Sequence, residues 1–227
     1  MKILHIETSS KNCSVAISDG EKLICLCEEV SENYKQSESL HTFVEWALEG
    51  AEISLKDIEA VSLGKGPGSY TGLRIGAASA KGFCYGLKVP LIAVNSLETM
   101  LEPFLGQNYD VIIPLIDARR MEVYCAIFDG NSGKMISETE AKILDEQSFM
   151  ELEGKKILFV GDGAKKAEEI LQITGADFKT DVYPSAQYLI KKSVEKFNRQ
   201  NFEEVAYFEP FYLKDFHGVK KKNLNNL

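Results

Sequence analysis

Apolar residues in this chain recur in two ways: in short runs with polar breaks, which predict strands, and at three-to-four spacing, which predicts helices. Leu4-His5-Ile6 and Val15-Ala16-Ile17 flank a polar turn and are followed by a tight Asp19-Gly20 turn, so the chain opens on an antiparallel pair. Leu40, Phe43, Val44, Ala47, Leu48 and Ala51 share one helix face. Ile58 to Leu63 predicts a strand, a glycine-rich turn comes next, and a helix continues through Ala77, Ala80 and Phe83 to about Leu87. Val89 to Val94 predicts another strand, and Ser96 caps a predicted helix ending near Leu105. The pattern then thins. It gives a strand from Lys156 to Val160, the turn Gly161-Asp162-Gly163, a helix from Ala164 to about Ile173, and a helix opened by Pro184-Ser185 that runs to about Phe197.

A repeat links the two halves. The segment from Pro114 to Gly130 follows the plan of Leu4 to Gly20, and one offset places Ile6 on Ile116, Glu7 on Asp117, Ala16 on Ala126 and Asp19-Gly20 on Asp129-Gly130. Strand, acid, strand and turn coinciding at one offset favours a duplication. The expectation is two small α/β domains that each start with antiparallel strands and finish with helices. Residues 1–106 form the first, with the glycine-rich loop, and 107–227 the second and smaller, divided at Gly106-Gln107-Asn108.

The eleven residues from Gly66 to Gly76 hold four glycines and a proline between a strand and a helix. Glycine there permits positive backbone dihedrals and lets another body approach the backbone. A helix N-terminus suits an anion, but the usual phosphate motifs fail. A P-loop needs Lys and then Ser or Thr after its last glycine, and Gly72 is followed by Leu73 and Arg74. The Gly68 to Gly72 gap is also too long for a dinucleotide fingerprint. Within the helix, Gly72, Gly76 and Ala80 form one small-residue row and Ala78, Gly82 and Gly86 a second. Each interior glycine costs about 1 kcal/mol relative to alanine, so the rows predict close packing against another body. Sequence does not choose which row makes that contact.

At 227 residues the chain can bury roughly 70% of its unfolded surface. A formal net charge of -8 opposes unaided binding to a phosphate backbone, so any nucleic acid would be held mainly by a partner. The only basic cluster, Lys220-Lys221-Lys222, reads as a solvated tail. Met1-Lys2 leads straight into a strand and no apolar stretch is long enough for a signal peptide or membrane span, so the expectation is a cytoplasmic protein with no membrane partner. The five cysteines contain no CxxC pair and read as buried reduced thiols rather than a zinc site.

Candidate chemistry is sparse. Glu7 and Asp117 each close an apolar strand, and across a cleft between duplicated halves they could hold a hydrated Mg²⁺ beside a nucleotide. Glu7, Ser9 and Asp117 are therefore the candidate nucleotide-binding residues. The competing reading is two acids capping turns, Glu7 by accepting from the Thr8 to Ser10 backbone and Asp117 by pairing with Arg119 or Arg120. His41 with Glu38 and Glu45 has metal-like spacing but equally an ordinary charged surface. His5 and His217 have no nucleophile motif beside them, and no Ser-His-acid or Cys-His set can be assembled. Catalytic and metal residues are thus expected to be absent.

Taken together, Ile6-Glu7-Thr8-Ser9, Cys13-Ser14-Val15-Ala16, Gly66 to Gly76 with Ala80-Lys81-Gly82, Ser96-Leu97-Glu98, Asp117-Ala118-Arg119 with Glu122-Val123-Tyr124, Gly161-Asp162-Gly163-Ala164 and Tyr212-Leu213 resemble the bacterial TsaB family. These are accessory proteins for making threonylcarbamoyladenosine in tRNA. The resemblance covers nearly the whole chain and implies a duplicated actin-like ATPase fold (RNase H-like, of the sugar kinase/Hsp70 superfamily), with the second domain reduced. It implies a non-catalytic scaffold that activates TsaD, the enzyme that transfers threonylcarbamoyl from its adenylate to the adenosine beside the anticodon. TsaD carries a metal-binding histidine pair that the TsaB family lacks. Gln36-Ser37-Glu38 stands where TsaB proteins often carry His-Ser-Glu, and Glu7 where many carry Asp.

The same resemblance implies a homodimer when the protein is alone, a heterodimer with TsaD, and TsaE joining that assembly. It implies no intrinsic cofactor, with any nucleotide lying at the interface with TsaD. Pairing would run through the first two helices. That nominates Leu40, Phe43, Val44 and Ala47 on the first, Gly68, Tyr70, Gly72, Leu73 and Arg74 at the glycine-rich turn, and Gly76, Ala80 and Phe83 on the second. The alternative is a free-standing Mg-dependent ATPase or small-molecule kinase of the same fold, using Glu7 and Asp117. A third reading, a glycopeptidase-like protease, lacks the metal histidines.

Overall fold

A computed structural model of the protein describes residues 1–31 and 36–214, with 36–38 as backbone. His217 and the Lys220-Lys221-Lys222 cluster lie outside the described residues. The first half contains β1 (Lys2–Glu7), β2 (Asn12–Asp19), β3 (Lys22–Val30), α1 (Gln36–Gly50), β4 (Ala60–Gly64), α2 (Tyr70–Leu87) and β5 (Leu91–Val94). Their sheet has the order β3-β2-β1-β4-β5, antiparallel on the β2 and β3 side and parallel on the β4 and β5 side. The second half contains β6 (Val111–Asp117), β7 (Glu122–Cys125), β8 (Phe128–Asp129), β9 (Glu140–Ile143), β10 (Ile157–Val160), α3 (Ala164–Ile170), β11 (Ala176–Lys179) and α4 (Ile190–Asn198).

The second sheet runs β11-β10-β6-β7-β9, with β8 extending the antiparallel edge of β6. From its other edge this is the first sheet again: two antiparallel strands, a central strand and two parallel ones. The duplication is the actin-like plan. One difference lies in the hairpin turn. Glu7 sits opposite Ser14, whereas Asp117 sits opposite Val123, so residues 118–122 close in one residue fewer than residues 8–13.

Strand alternation gives each sheet two apolar faces, and the two halves cover one another's. Leu4, Ile6, Val15, Ile17 and Val61 face α1 and α2. Ile3, Ala16, Ala60, Ile92 and Val94 occupy the opposite face, which those helices do not reach, and Ala186, Leu189, Ile190 and Val194 cover it. The last helix, expected with residues 107–227, therefore packs on the first sheet. Reciprocally, Leu97, Met100 and Leu101 from the end of the first half cover Ile112, Ile116 and Leu158 of the second sheet.

The helix expected between Ser96 and Leu105 is instead two short 3-10 turns, Glu98–Met100 and Glu102–Phe104. Pro103 has no N–H to continue a helix, and the Ser96 hydroxyl bonds to Glu7 at 2.8 Å rather than capping a helix. The helix begun at Ala164 ends at Ile170, short of Ile173, although Ile173 still packs in the second core. The segment opened by Pro184-Ser185 starts as a 3-10 turn, Ala186–Leu189, before α4.

After α4 the chain returns along the first half as a strap. Glu203 N–H donates to the Leu91 carbonyl at 2.8 Å, Phe208 joins the first core, and Phe211 N–H donates to the Lys65 carbonyl at 2.8 Å. Lys81 on α2 holds the strap by the carbonyls of Ala206 and Phe208. The strap ends on the second half, where Lys214 pairs with Glu122. Among the described residues no helix is long and apolar enough to cross a membrane.

Candidate functional site

The glycine-rich turn docks inside its own monomer. Gly66 has a φ of +98°, a conformation that side chains rarely adopt. The other glycines are explained by closeness: a Cβ at Gly68 would overlap the Ser9 carbonyl, one at Gly72 the Thr8 carbonyl, and one at Gly76 the Thr8 hydroxyl. The backbone locks this arrangement, with Ser69 N–H donating to the Ser9 carbonyl at 2.6 Å and Thr8 Oγ1 to the Gly72 carbonyl at 2.8 Å. Ser69 caps α2 by accepting from Gly72 N–H at 3.3 Å. The body that approaches the first small-residue row is the β1–β2 turn, not a second helix.

Most nominated docking residues are consequently core. Leu40, Phe43, Val44 and Ala47 are buried against the first sheet, as is Ala80, Leu73 is buried beside Gly66 of the glycine-rich turn, and Gly72 and Gly76 face Thr8. Of the rest, Gly68 lies half-buried against Ser9. Tyr70 packs on Tyr212 of the strap at 5.0 Å between centroids, with the Arg74 guanidinium 5.6 Å from its ring. Phe83 packs on His41 at 5.9 Å. The outward row is Ala78, Gly82 and Gly86, and a Cβ at Gly82 or Gly86 would meet nothing within 4 Å. Beside it Tyr85 is 85% exposed on α2, and on α1 Trp46 is 55% exposed. Sequence reasoning passed over both aromatics. The signal was a large ring out of phase with the apolar stripe of its helix.

The two acids do not share a site. Glu7 is fully buried and accepts from Ser9 N–H at 2.8 Å through one oxygen and from the Ser96 hydroxyl at 2.8 Å through the other. Burial pushes its carboxyl above the ordinary range, and the bonds from Ser9 and Ser96 oppose that shift. Gly64 lies so close that any Cβ there would overlap the carboxylate. Ser9, the third nucleotide-binding candidate, is fully buried between Glu7 and the glycine-rich turn. Asp117 is exposed and shapes its own turn: it accepts from Lys166 Nζ at 2.7 Å and from Arg119 N–H at 2.5 Å. The turn-capping reading describes both acids, with Lys166 as the ion-pair partner in place of an arginine side chain. A magnesium site spanning Glu7 and Asp117 does not fit, because both Glu7 oxygens are taken and walled in.

Lys166 also donates to the carbonyls of Arg120 at 2.7 Å and Glu122 at 3.0 Å, which holds the second turn together. Arg119 and Arg120 are both left-handed, at φ +69° and +53°, a consequence of the shorter turn. Asp162, in the turn after β10, accepts from Asp117 N–H at 2.9 Å; burial raises its carboxyl.

His5 is part of the interior. Its Nε2 lies 2.8 Å from the Ser18 hydroxyl and its Nδ1 3.4 Å from that of Ser193, which meets Ser62 at 2.6 Å. Burial holds its pKa down to about 3. His41 is exposed on α1. Among the described residues no three His, Cys, Asp or Glu side chains gather as a metal set. Cys13, Cys84 and Cys125 are buried with pKa pushed up to about 12, Cys25 and Cys27 are half-buried, and all five are free thiols.

Comparison with known proteins adds the family. The profile described as "TsaD: tRNA N6-adenosine threonylcarbamoyltransferase" matches residues 28–217. The chain is 31% identical to the tRNA threonylcarbamoyladenosine biosynthesis protein TsaB of Escherichia coli, over 97% of this chain and 98% of that protein. It is 28% identical to the TsaB protein of Bacillus subtilis over 76% of each. In fold it is similar to the solved structure of YeaZ from Pseudomonas aeruginosa, with a TM-score of 0.79, 24% identity, and coverage of 93% of this chain and 100% of that one.

Proposed function

This chain belongs to the TsaB family of tRNA threonylcarbamoyladenosine biosynthesis proteins, and we propose that it serves that modification as a non-catalytic partner of a TsaD-type transferase. It would present a docking face while TsaD performs the transfer of threonylcarbamoyl to the adenosine beside the anticodon. The observation that carries this reading is the outward row of Ala78, Gly82 and Gly86 beside the exposed Tyr85 of the same helix. Helix glycines with nothing near them are costly, and flanking aromatics are the usual anchors of a protein interface. A partner helix laid along the row would approach closely and bury the Tyr85 ring.

The same face would serve a second copy of the chain when TsaD is absent, so homodimer and heterodimer are mutually exclusive. TsaE would join the heterodimer, and any nucleotide would lie between this chain and TsaD. tRNA would be held by the partners, since the net charge of -8 repels a phosphate backbone. The kinase or ATPase alternative is not favoured, because Glu7 and Asp117 have separate structural duties.

The test is a Gly82→Trp variant, which has open space for its side chain in the monomer. The expected result is a soluble, folded monomer that no longer copurifies with tagged TsaD from the same organism. Normal dimerisation and normal TsaD capture by Gly82→Trp and by Tyr85→Ala would overturn the reading.

A further inference from the structure

Away from the docking face, a cavity of about 310 Å³ opens where the two halves and the strap meet. Lys65, Val94 and Asn95 line it from the first half, and Met135, Glu138 and Thr139 from the connection between β8 and β9. Glu98, Lys196 of α4 and Phe211 of the strap complete the wall. Lys65 and Asn95 directly follow β4 and β5, so the cavity lies outside the carboxyl ends of the parallel strands. That is the crevice where open α/β sheets bind their ligands, and its volume is at the small end for such sites.

The ionisable groups of the wall are two lysines, Lys65 and Lys196, and two glutamates, Glu98 and Glu138. The Lys65 ammonium is half-buried and makes no ion pair or side-chain hydrogen bond among the described residues. Lys196 is half-buried too and donates to the Ala93 carbonyl at 2.7 Å, which leaves two of its three N–H groups for other acceptors. Its pKa is lowered by burial and then by the charge of Lys65, so the two ammoniums feel each other. Glu203 and Glu98 oppose that lowering, but Glu98 is also paired with Lys192 at 3.4 Å and Glu138 is exposed, so neither glutamate of the wall is held by Lys65. Asn95 Nδ2 donates to Thr139 Oγ1 at 2.8 Å across the seam between the halves, and that hydroxyl retains a proton to donate inward.

We propose that this cavity binds a small oxyanion-bearing molecule, a carboxylate or a phosphate monoester, gripped by Lys65 and Lys196 and oriented by Thr139. Two ammoniums that repel one another in a half-buried space are stabilised by a shared anion. The lining comes from both halves and the strap, so the ligand clamps them together and its binding raises the stability of the fold. This site is independent of the TsaD-docking reading, because no residue of the outward α2 row lines it.

The test uses the full chain alone. Melting temperature is followed against inorganic phosphate, glycerol phosphate and citrate, each compared with sodium chloride at matched ionic strength, and backbone amide shifts are recorded by NMR in the same titrations. The expected result is a saturable rise above the chloride control with the phosphates, with citrate, or with both, which separates the two sources of the anion. Amide shifts should concentrate at Lys65, Asn95, Thr139 and Phe211. Lys65→Met, which removes no bond described in the monomer, should weaken binding at least about tenfold, whereas the exposed Lys155→Met should bind as the parent does. No saturable rise with any probe would overturn the proposal, as would shifts scattered over surface lysines or equal binding by Lys65→Met. Should Lys65→Met melt differently without ligand, Thr139→Val gives the second reading, and unchanged binding there together with unlocalised amide shifts also overturns it.

Discussion

The hydroxyl of Thr8 donates to the carbonyl of Gly72 at 2.8 Å, and this link decides how α2 is used. The first turn of a central strand lies against the first turn of a helix whose glycines leave no side chain in the way. The missing side chains leave room between these two turns. In this chain Ser9, Thr8 and the glycine-rich turn fill it with their own backbone, and Ser69 closes the helix end. The two glycine rows of α2 consequently have different tasks, one inside the monomer and one outside.

Substitutions in the two rows should therefore have opposite effects on stability. Gly76→Leu forces a side chain into Thr8 and Leu63 and should cost ~1–3 kcal/mol or more. Gly82→Ala meets open space in a helix interior and should stabilise the monomer by ~0.5–1 kcal/mol. Urea melts of both variants decide it, and a destabilised Gly82→Ala monomer would contradict the assignment of the rows.

Acid should weaken the fold through His5. The folded-state pKa of about 3 lies below the ordinary value of 6.5, so the folded protein keeps a neutral ring while the unfolded chain takes up a proton. Stability is then full above about pH 6.5 and falls as pH drops towards 3, by roughly 1 kcal/mol per pH unit from this one group. Glu7 acts with the opposite sign: its raised pKa favours the folded state on the acid side and costs stability as pH rises past the ordinary carboxylate value. The check is NMR of the native protein, where the His5 ring should show no titration between pH 7 and pH 4.5.

Thiol reactivity should follow depth. Iodoacetamide at pH 8 should modify the half-buried Cys25 and Cys27 well before Cys13, Cys84 and Cys125, whose thiols are buried and raised to about 12. Mass spectrometry of a timed reaction reads the order. Early labelling of Cys84 in the native protein would mean that α2 opens from the sheet.

The fold was readable wherever periodicity was strong: β1, β2, α1, β4, α2 and β10 each carry a clear apolar pattern, and Ile6 and Ile116 do fall on equivalent central strands. β9 and β11 escaped because each is four residues long with only two apolar ones, and β3 because Leu23 to Cys27 is an unbroken apolar run with no alternation to set a period. The packing of α4 was not readable, since Ile190 and Val194 fit any sheet and only tertiary structure tells that Ile3 and Ala60 are the ones left uncovered. The candidate site was half legible. Small residues announced close packing, but sequence could not say that Thr8 would be the neighbour of Gly72 and Gly76. Trp46 and Tyr85 lie outside the apolar stripe of their helices, so no period marks either ring, although Trp46 packs on Phe43 of its own helix at 5.7 Å.

The strictest check on a non-catalytic role is ATP turnover by the isolated chain. Glu7 spends both oxygens on Ser9 and Ser96 in the interior, and Asp117 is committed to Lys166 and the Arg119 backbone. A magnesium-nucleotide complex would have to break one of those sets before either acid could serve it. Steady-state phosphate release with Mg²⁺ should accordingly stay at background, and Asp117→Ala should loosen the second turn without changing that background. Turnover that depends on Mg²⁺ and disappears in Asp117→Ala, while Glu7→Gln stays folded and also loses it, would show that the acids leave their structural partners when nucleotide arrives. The chain would then be an enzyme in its own right.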